Sequence, residues 1–362
     1  MTVYWFLFAF FALGALLHRR SSATPASLGA AGTSPFPAVR QGFAPMLLLG
    51  ALLIAIMVGL RYRVGADWET YEFYFRWADY ATLDRVLQMS DPAYQFLNWS
   101  VQHMGGRMWG VNLICGLIFS WGLWRFARVQ SEPWLAVLVA VPYLVVVVAM
   151  GYSRQAVAIG ILMAGLAPLL RGGSVIRFAI YVAAAALFHR TAIVVLPLAI
   201  FAGERNRLLN FIAGVSIFLL LYDALLADDV DTLVKNYIVA EYSSQGAAIR
   251  VGMSLLPALL FLAAPKRFGF PLGEERLWRL FSFAAIGCLV LLFVLPSSTV
   301  VDRLALYIFP LQLAVLSRVP RAFGMEGAGR LMVIAYCFLI QFVWLNYASH
   351  AEYWVPYRFF PM

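Results

Sequence analysis

The chain has 362 residues, of which 63% are apolar and only 12% are charged, and its mean hydropathy is +0.80. A soluble domain is typically about 45–50% apolar and about 25% charged, so this composition excludes a soluble protein and also a disordered one. The net charge of +9 does not indicate nucleic-acid binding, because the basic residues stand singly or in pairs between apolar runs. These long runs predict an all-α, polytopic helical membrane protein rather than a barrel.

The apolar runs predict about twelve membrane segments within a single integral-membrane domain spanning residues 1–362. The segments cover about 3–17, 43–60, 108–127, 133–150, 153–170, 176–188, 191–203, 208–226, 251–265, 279–295, 304–317 and 331–347. Several are shorter than the ~20 residues of a perpendicular span, so some are predicted to be short or re-entrant. We divide 176–202 at His189, because one helix would place His189 and Arg190 near the bilayer centre.

Alternate loops differ in charge, and this difference predicts the orientation of the chain. The loops on one side carry 16 Lys and Arg with 5 acids, whereas the rest of the chain holds 11 basic and 13 acidic residues. The positive-inside rule assigns the first side to the cytoplasm and both termini to the outside. We therefore expect an extracytoplasmic amphipathic loop at 61–107, an acidic loop at 227–250 and a tail at 349–362, with a cytoplasmic linker at 21–42.

Familiar catalytic motifs are missing from the sequence. It has no Walker A motif, no Gly-x-Ser-x-Gly elbow and no zinc-ligand spacing, so we predict no cofactor and no metal. The acidic cluster Asp228, Asp229 and Asp231 is interpreted as a solvated loop. Buried free thiols are predicted for the three cysteines within apolar runs, Cys115, Cys288 and Cys337.

A cluster of cations and aromatic residues directly follows the second apolar run. It contains Arg61, Arg63, Asp67, Trp68 and Tyr71. The planar donor fork of arginine suits phosphate binding, and tryptophan or tyrosine can stack on a sugar ring. An ordinary aromatic belt with a few ion pairs is the alternative interpretation.

Arg154 lies in a very short connection between two apolar runs. A charge in this position needs an anionic partner, and an intramembrane charge is by default a functional hypothesis. The preferred partner is a lipid diphosphate. A structural ion pair with Asp67 or Asp302 is the alternative.

Three further polar positions have both a functional and a structural interpretation. His189, at the break between two short runs, is either functional or a hydrogen-bonded structural residue. Arg303 either faces the site or extends to headgroups from a helix start organised by Asp302. Asp91 is interpreted as the N-cap of a helix that opens at Pro92.

One outward-facing polar cavity is predicted, because the polar positions share the outer side of the predicted topology. They are Asp67, Tyr94, Arg154, His189, Arg303 and Tyr357.

These motifs resemble the EpsG family of bacterial exopolysaccharide proteins, which are Wzy-like polysaccharide polymerases. The resemblance runs from about residue 55 to the end of the chain. It rests on Arg61 and Arg63 before Gly65-Ala66-Asp67-Trp68-x-x-Tyr71, on Asp91-Pro92-Ala93-Tyr94 with Asn98, on Arg154-Gln155, on Phe188-His189-Arg190-Thr191-Ala192, on Asp302-Arg303 with Tyr307, and on Pro356-Tyr357. The family more often has Glu where this chain has Asp91.

The resemblance implies an integral-membrane glycosyltransferase, similar in plan to the GT-C class, at the outer face of the bacterial inner membrane. Its substrate would be an oligosaccharide repeat unit on polyprenyl diphosphate in the bilayer, with a flippase and chain-length or export proteins as further partners. The implied catalytic residues are Arg154 and Arg303 as cations and Asp67 or His189 as the base. The implied substrate-binding residues are Arg61, Arg63, Trp68, Tyr71, Tyr94, Asn98, Gln155 and Tyr357.

Three other functions remain open at this stage. A transporter or flippase would handle the same lipid-linked unit without forming a bond, although the sequence shows no inverted repeat. An outer-face ligase would transfer finished glycan to another acceptor. A scaffold protein of a secretion complex would have no catalytic residues at all.

Overall fold

The computed structural model describes residues 1–17, 44–202, 207–225, 244 and 246–360. Every regular element in these ranges is helical, and the only β-type pairing there is an isolated antiparallel bridge between Arg61 and Phe359. The predicted all-α class is therefore confirmed. The predicted linker and most of the predicted acidic loop, including Asp228, Asp229 and Asp231, lie outside the described residues.

The described residues of the first half of the chain form nine α-helices. They are α1 (Thr2–Leu17), α2 (Ala44–Gly59), α3 (Trp68–Trp77), α4 (Leu83–Leu87), α5 (Pro92–His103), α6 (Met108–Ala127), α7 (Pro133–Ala140), α8 (Ser153–Leu169) and α9 (Val175–Phe188). A π-helix, Val141–Ala149, continues α7. The predicted loop at 61–107 is thus largely helical.

The second half continues in the same way within the described ranges. Its α-helices are α10 (Leu196–Ala202), α11 (Arg207–Leu225), α12 (Ala247–Ala263), α13 (Leu272–Val294), α14 (Ser298–Leu306), α15 (Phe309–Leu316), α16 (Val319–Ala322) and α17 (Glu326–Tyr347). Short 3₁₀ helices cover Arg190–Val195, Pro265–Phe268 and Ala351–Tyr353. Because α12 begins at Ala247, the predicted acidic loop extends too far toward its C-terminal end.

Helices coincide with the predicted apolar segments, but they differ in length. In the described residues, α6, α13 and α17 are long and apolar enough to cross a membrane. The pair α14 and α15, bent by 47°, is a fourth candidate. Most of the other segments are apolar helices of 10–17 residues. The number of crossings and a GT-C-like plan remain predictions.

The centre of the molecule is the continuous helical rod formed by α7 and its π-helical extension. Every residue from Pro133 to Ala149 is buried, and α1, α15 and α17 pack around the α7 part. A helix that is apolar on all sides belongs in such a position. The rod ends at Gly151, and α8 begins two residues later at Ser153. The end of the rod therefore adjoins the first turn of α8.

Glycines let α8 lie against α6 at short distance. A Cβ atom on Gly122 would stand 1.8 Å from the carbonyl oxygen of Gly160, and one on Gly160 would stand 2.7 Å from the Cα of Phe119. Small residues of this kind permit close backbone approach between membrane helices. The axis of α8 is therefore tightly constrained.

The C-terminal tail is docked onto the segment before α3. The backbone N–H of Tyr62 donates to the carbonyl of Arg358 at 2.9 Å, and that of Gly65 donates to Tyr353 at 2.9 Å. Trp354 is buried and donates its indole N–H to the carbonyl of Val146 at 2.8 Å. The tail therefore connects the start of α3 to the central rod.

The three cysteines, Cys115, Cys288 and Cys337, are free and buried, as predicted.

Candidate functional site

Arg154 stands in the first turn of α8 and is held on one side by a carboxylate. Its Nη1 donates to Oδ2 of Asp91 at 2.7 Å. The guanidinium also lies over the rings of Tyr71 and Tyr74, 5.9 and 5.6 Å from their centroids. The side chain remains 21% exposed. The Arg154 guanidinium is therefore held in position, and part of the side chain remains accessible.

Asp91 occupies the predicted N-cap position before Pro92, but its side chain does not cap α5. Its backbone is left-handed, with φ 59° and ψ 57°, and no side-chain hydrogen bond to the helix forms. The carboxylate instead accepts from Nη1 of Arg154 and, at 3.2 Å, from the backbone N–H of Arg190. Aspartate tolerates the left-handed region better than most residues do. With this backbone conformation, the Asp91 carboxylate contacts both α8 and the break after α9.

The pKa of Asp91 is lowered. Burial by itself would raise it, but the adjacent His189, the charge of Arg154 and the N–H of Arg190 stabilise the ionised form more strongly. The carboxylate is therefore ionised and fully engaged.

His189 lies at a real break in the chain, as predicted. α9 ends at Phe188, His189 is extended, and a 3₁₀ helix follows. Its Nδ1 is 3.6 Å from Oδ2 of Asp91, which is an electrostatic contact beyond hydrogen-bond distance. The hydroxyls of Thr191 and Tyr307, 3.0 Å apart, connect this break to the end of α14.

Arg303 lies on α14 beside the start of α8. The side-chain amide of Gln155 donates to its carbonyl oxygen at 2.7 Å. The preceding residue, Asp302, lies in the middle of α14 rather than at its start, and it pairs with Arg250. The expected alternative partners of Arg154, Asp67 and Asp302, are therefore wrong, since Asp91 takes that place.

Asp67 stands at the N-terminus of α3 without capping it. Among the described residues, its carboxylate has no hydrogen-bond or ion-pair partner. Burial raises the pKa of Asp67, and the charges of Arg303 and Arg154 only partly oppose that effect. Asp67 is thus a carboxylate within electrostatic reach of both arginines and available for proton transfer.

The two predicted cations are within electrostatic range of both predicted bases. Arg154 and Arg303 act electrostatically on Asp67 and also on His189. Tyr71 and Gln155 belong to the same place, since one lies under Arg154 and the other holds the backbone of Arg303. The site joins elements from four separate parts of the sequence.

Arg61 is packed next to the start of α8, and Arg63 is exposed. Arg61 is 1% exposed and donates to the carbonyls of Val58 and Val64 and, at 2.6 Å, to Oγ of Ser153. Arg61 therefore anchors the first residue of α8. Arg63 is exposed and lies over the ring of Tyr62.

Most of the aromatic and amide side chains expected to bind sugar are packed. Trp68, Tyr71 and Tyr94 are each at most 8% exposed. The ring centroids of Tyr94 and Tyr71 are 5.5 Å apart. Asn98 is fully buried, and its side-chain amide donates to the carbonyl of Tyr94.

Tyr357 is also separate from Arg154. It donates to the carbonyl of Met57 at 2.8 Å and packs on Tyr4.

The sequence interpretation missed Tyr74, Asp91 and Arg250 as parts of the arrangement. Tyr74 follows Tyr71 by three residues on an amphipathic helix, so helical spacing could have placed it on the same face. The role of Asp91 was concealed by the Asp-Pro pattern that is typical of a helix start.

The arrangement can bind an anion and accept a proton. The first backbone N–H groups of α8 lack intrahelical partners, and the N-terminus of a helix favours anions. Arg154 projects from that same turn. Within the ranges that the structure describes, no three His, Cys, Asp or Glu side chains converge as metal ligands would.

A family model described as the EpsG family matches residues 46–359. The chain belongs to the EpsG family. EpsG is a family of Wzy-like polymerases, so this EpsG protein has a polymerase role in polysaccharide biosynthesis in a membrane. No curated protein and no solved structure matches the chain. The matched range contains every residue of the site, from Asp67 to Arg303.

Proposed function

We propose that this EpsG protein is a membrane glycosyltransferase that joins oligosaccharide repeat units carried on polyprenyl diphosphate. The observation that carries the proposal is that Arg154 and Arg303, joined through Gln155, both act electrostatically on Asp67, whose carboxylate has no hydrogen-bond or ion-pair partner among the described residues. Such a transfer requires stabilisation of the leaving diphosphate and a group that accepts the proton of the attacking hydroxyl.

The cations act on the leaving group. In the reaction, the bond between the anomeric carbon of the growing chain and the diphosphate oxygen breaks, and its electron pair leaves with the lipid diphosphate. Preorganised cations in a low-dielectric site stabilise that developing charge. Arg154, already oriented by Asp91 and two tyrosines, and the N-terminus of α8 would receive the diphosphate, with Arg303 on its other side.

Asp67 acts on the acceptor. A hydroxyl of the next lipid-linked unit forms the new bond to the anomeric carbon and passes its proton to the carboxylate. Asp67 is preferred over His189, because Nδ1 of His189 faces the engaged Asp91 whereas the Asp67 carboxylate has no such partner among the described residues. His189 is proposed to keep the break after α9 in place beside Asp91.

The remaining predicted residues are given supporting roles in the proposal. Arg61 holds the first turn of α8, and Tyr71 lies under the Arg154 cation with Tyr94 behind it. Tyr74, which is partly exposed, is the aromatic residue we propose to contact sugar. The other predicted ligands, Arg63, Trp68, Asn98 and Tyr357, would require a rearrangement to reach a substrate at Arg154.

The orientation is also part of the proposal. We place the site at the outer face of the bacterial inner membrane, with the flippase and export proteins as neighbours. The charge difference between alternate loops supports this orientation.

The test is polymer formation by purified protein. Wild-type protein reconstituted with a lipid-linked repeat unit should give polymer, and Arg154→Ala should lower the rate by about 10²–10³-fold. Arg171→Ala, which changes an exposed arginine outside the site, is the matched control and should retain the wild-type rate.

Two results would contradict the proposal. Full-length polymer from folded Arg154→Ala protein would exclude the role of the cation. Movement of the lipid-linked unit across vesicles without any new glycosidic bond would identify a flippase, and a single transfer to a different acceptor would identify a ligase.

A further inference from the structure

We propose that the ion pair between Arg250 and Asp302 is a positioning device for Arg303, and that it sets the distance between the two cations of the site. This inference rests on the proposed function. Neither Arg250 nor Asp302 contacts the reacting groups in that mechanism, so both are positioning residues.

The pair is extensive and largely buried. Both Nε and Nη2 of Arg250 donate to the carboxylate of Asp302, the latter at 2.7 Å. The hydroxyl of Ser244 adds a third hydrogen bond to Asp302 at 3.1 Å. The two side chains are 8% and 13% exposed. Bidentate pairing of this kind fixes orientation as well as distance.

The location of the Arg250–Asp302 pair indicates that it holds α14 in place. Arg250 lies in the first turn of α12, and Asp302 lies on α14 directly before Arg303. A second bond, from the backbone N–H of Ser244 to the hydroxyl of Ser298 at 2.8 Å, fixes the beginning of α14. α14 is only nine residues long and meets α15 at a 47° bend. These contacts restrain its rotation from the α12 side.

The opposite side of α14 is connected to the first cation. Gln155 donates to the carbonyl of Arg303, and Gln155 directly follows Arg154 on α8. The Arg303 backbone is thus held between the Arg250–Asp302 pair and the first turn of α8. A change in the pair would move Arg303 relative to Arg154.

Such a movement has a kinetic consequence. A displacement of about 1 Å in a catalytic group can lower a rate by about 10²-fold. The loss should affect kcat more than KM, because the additional negative charge on the leaving diphosphate develops only in the transition state.

The molecule offers a matched control pair. Arg330 and Glu132 form a second bidentate pair, at 3.0 and 2.9 Å, with 12% and 9% exposure. Glu132 precedes α7, at the opposite end of the central rod from Arg154. Removing that charge tests the general effect of breaking a buried ion pair.

The experiment compares Asp302→Asn with Glu132→Gln in the reconstituted polymer assay. We expect Asp302→Asn to lower kcat at least about tenfold with KM within about threefold, and Glu132→Gln to keep kcat within about twofold. Arg250→Lys retains the charge and loses the bidentate geometry, so it should give an intermediate loss. It also provides a second variant if Asp302→Asn does not fold.

A double mutant separates positioning from general stability. In an Arg303→Gln background, adding Asp302→Asn should cause little further loss, because the pair acts through Arg303. Three results would overturn the inference while wild-type protein still makes polymer. The first is that the kcat losses of Asp302→Asn and Arg303→Gln multiply in the double mutant. The others are that Glu132→Gln lowers kcat as much as Asp302→Asn does, or that Asp302→Asn leaves kcat unchanged. A wild-type protein without polymer product would overturn the proposed function and this inference with it.

Discussion

Oδ2 of Asp91 accepts a hydrogen bond from Nη1 of Arg154 at 2.7 Å, across 63 positions of the chain. The other carboxylate oxygen accepts from the backbone of Arg190. One side chain therefore joins the start of α5, the start of α8 and the break after α9. The same contacts that orient the cation also leave Asp91 unsuited to proton transfer.

Removal of the Asp91 charge should destabilise the protein and impair turnover. Asp91→Asn leaves the Arg154 cation without its anionic partner in a largely buried place, and we expect a loss of about 2 kcal/mol in the free energy of unfolding, below the range for fully buried pairs. Denaturant unfolding in detergent measures it. Glu72→Gln, which breaks the exposed pair with Arg76, should cost less than about 0.5 kcal/mol. Equal stability of the two variants would contradict this assignment.

Asp67→Asn should abolish polymer formation while leaving the fold intact. The amide cannot accept the acceptor's proton, and general base catalysis typically contributes about 10²–10⁴-fold. Unfolding of this variant should match that of the wild type, because Asp67 has no ion-pair partner among the described side chains. If His189→Gln loses the reaction and Asp67→Asn keeps it, the base has been assigned to the wrong residue.

The rate of polymer formation should fall as the pH is lowered through the pKa of Asp67. Burial raises that pKa above the ordinary value of 3.8, and a base works only in its ionised form. The sign is therefore a loss of rate toward acid, beginning above the range of an ordinary aspartate. A kcat/KM profile measured from neutral to acid pH tests it. A profile that stays flat down to pH 3.8 would be incompatible with Asp67 as the base.

Gly151→Ala should disturb the site from a distance. A Cβ atom at this position would stand 2.5 Å from Cζ2 of the buried Trp354, so either the tail or the start of α8 must move. We expect a lower melting temperature and a lower polymer rate. Gly287→Ala is the control, because a Cβ there has nothing within 4 Å. A Gly151→Ala protein as stable and active as the Gly287→Ala protein would refute the close packing at Trp354.

The positions of the helical segments and of the break at His189 could be predicted from the sequence. Both predictions depend on the high free energy of placing a charged side chain in an apolar phase. It could not reveal which acid pairs with Arg154. Asp67, Asp91 and Asp302 have the same chemistry, and the choice depends on the left-handed backbone at Asp91 and on helix packing. Arg61 illustrates the same limit. The sequence alone does not distinguish an arginine that donates to backbone carbonyls from one that binds phosphate.

The docking of the tail has a consequence for biosynthesis. The backbone groups of Leu60, Tyr62 and Gly65 bond to residues 353–360, which follow them by 288 to 300 positions. During translation, the entrance to α3 therefore remains without these partners until residues 353–360 have been made and delivered to the same side of the membrane. A nascent chain would already contain Asp67, Arg154 and Arg303 and still lack an anchored α3. The polymerase site would thus be completed only after residues 353–360 have docked.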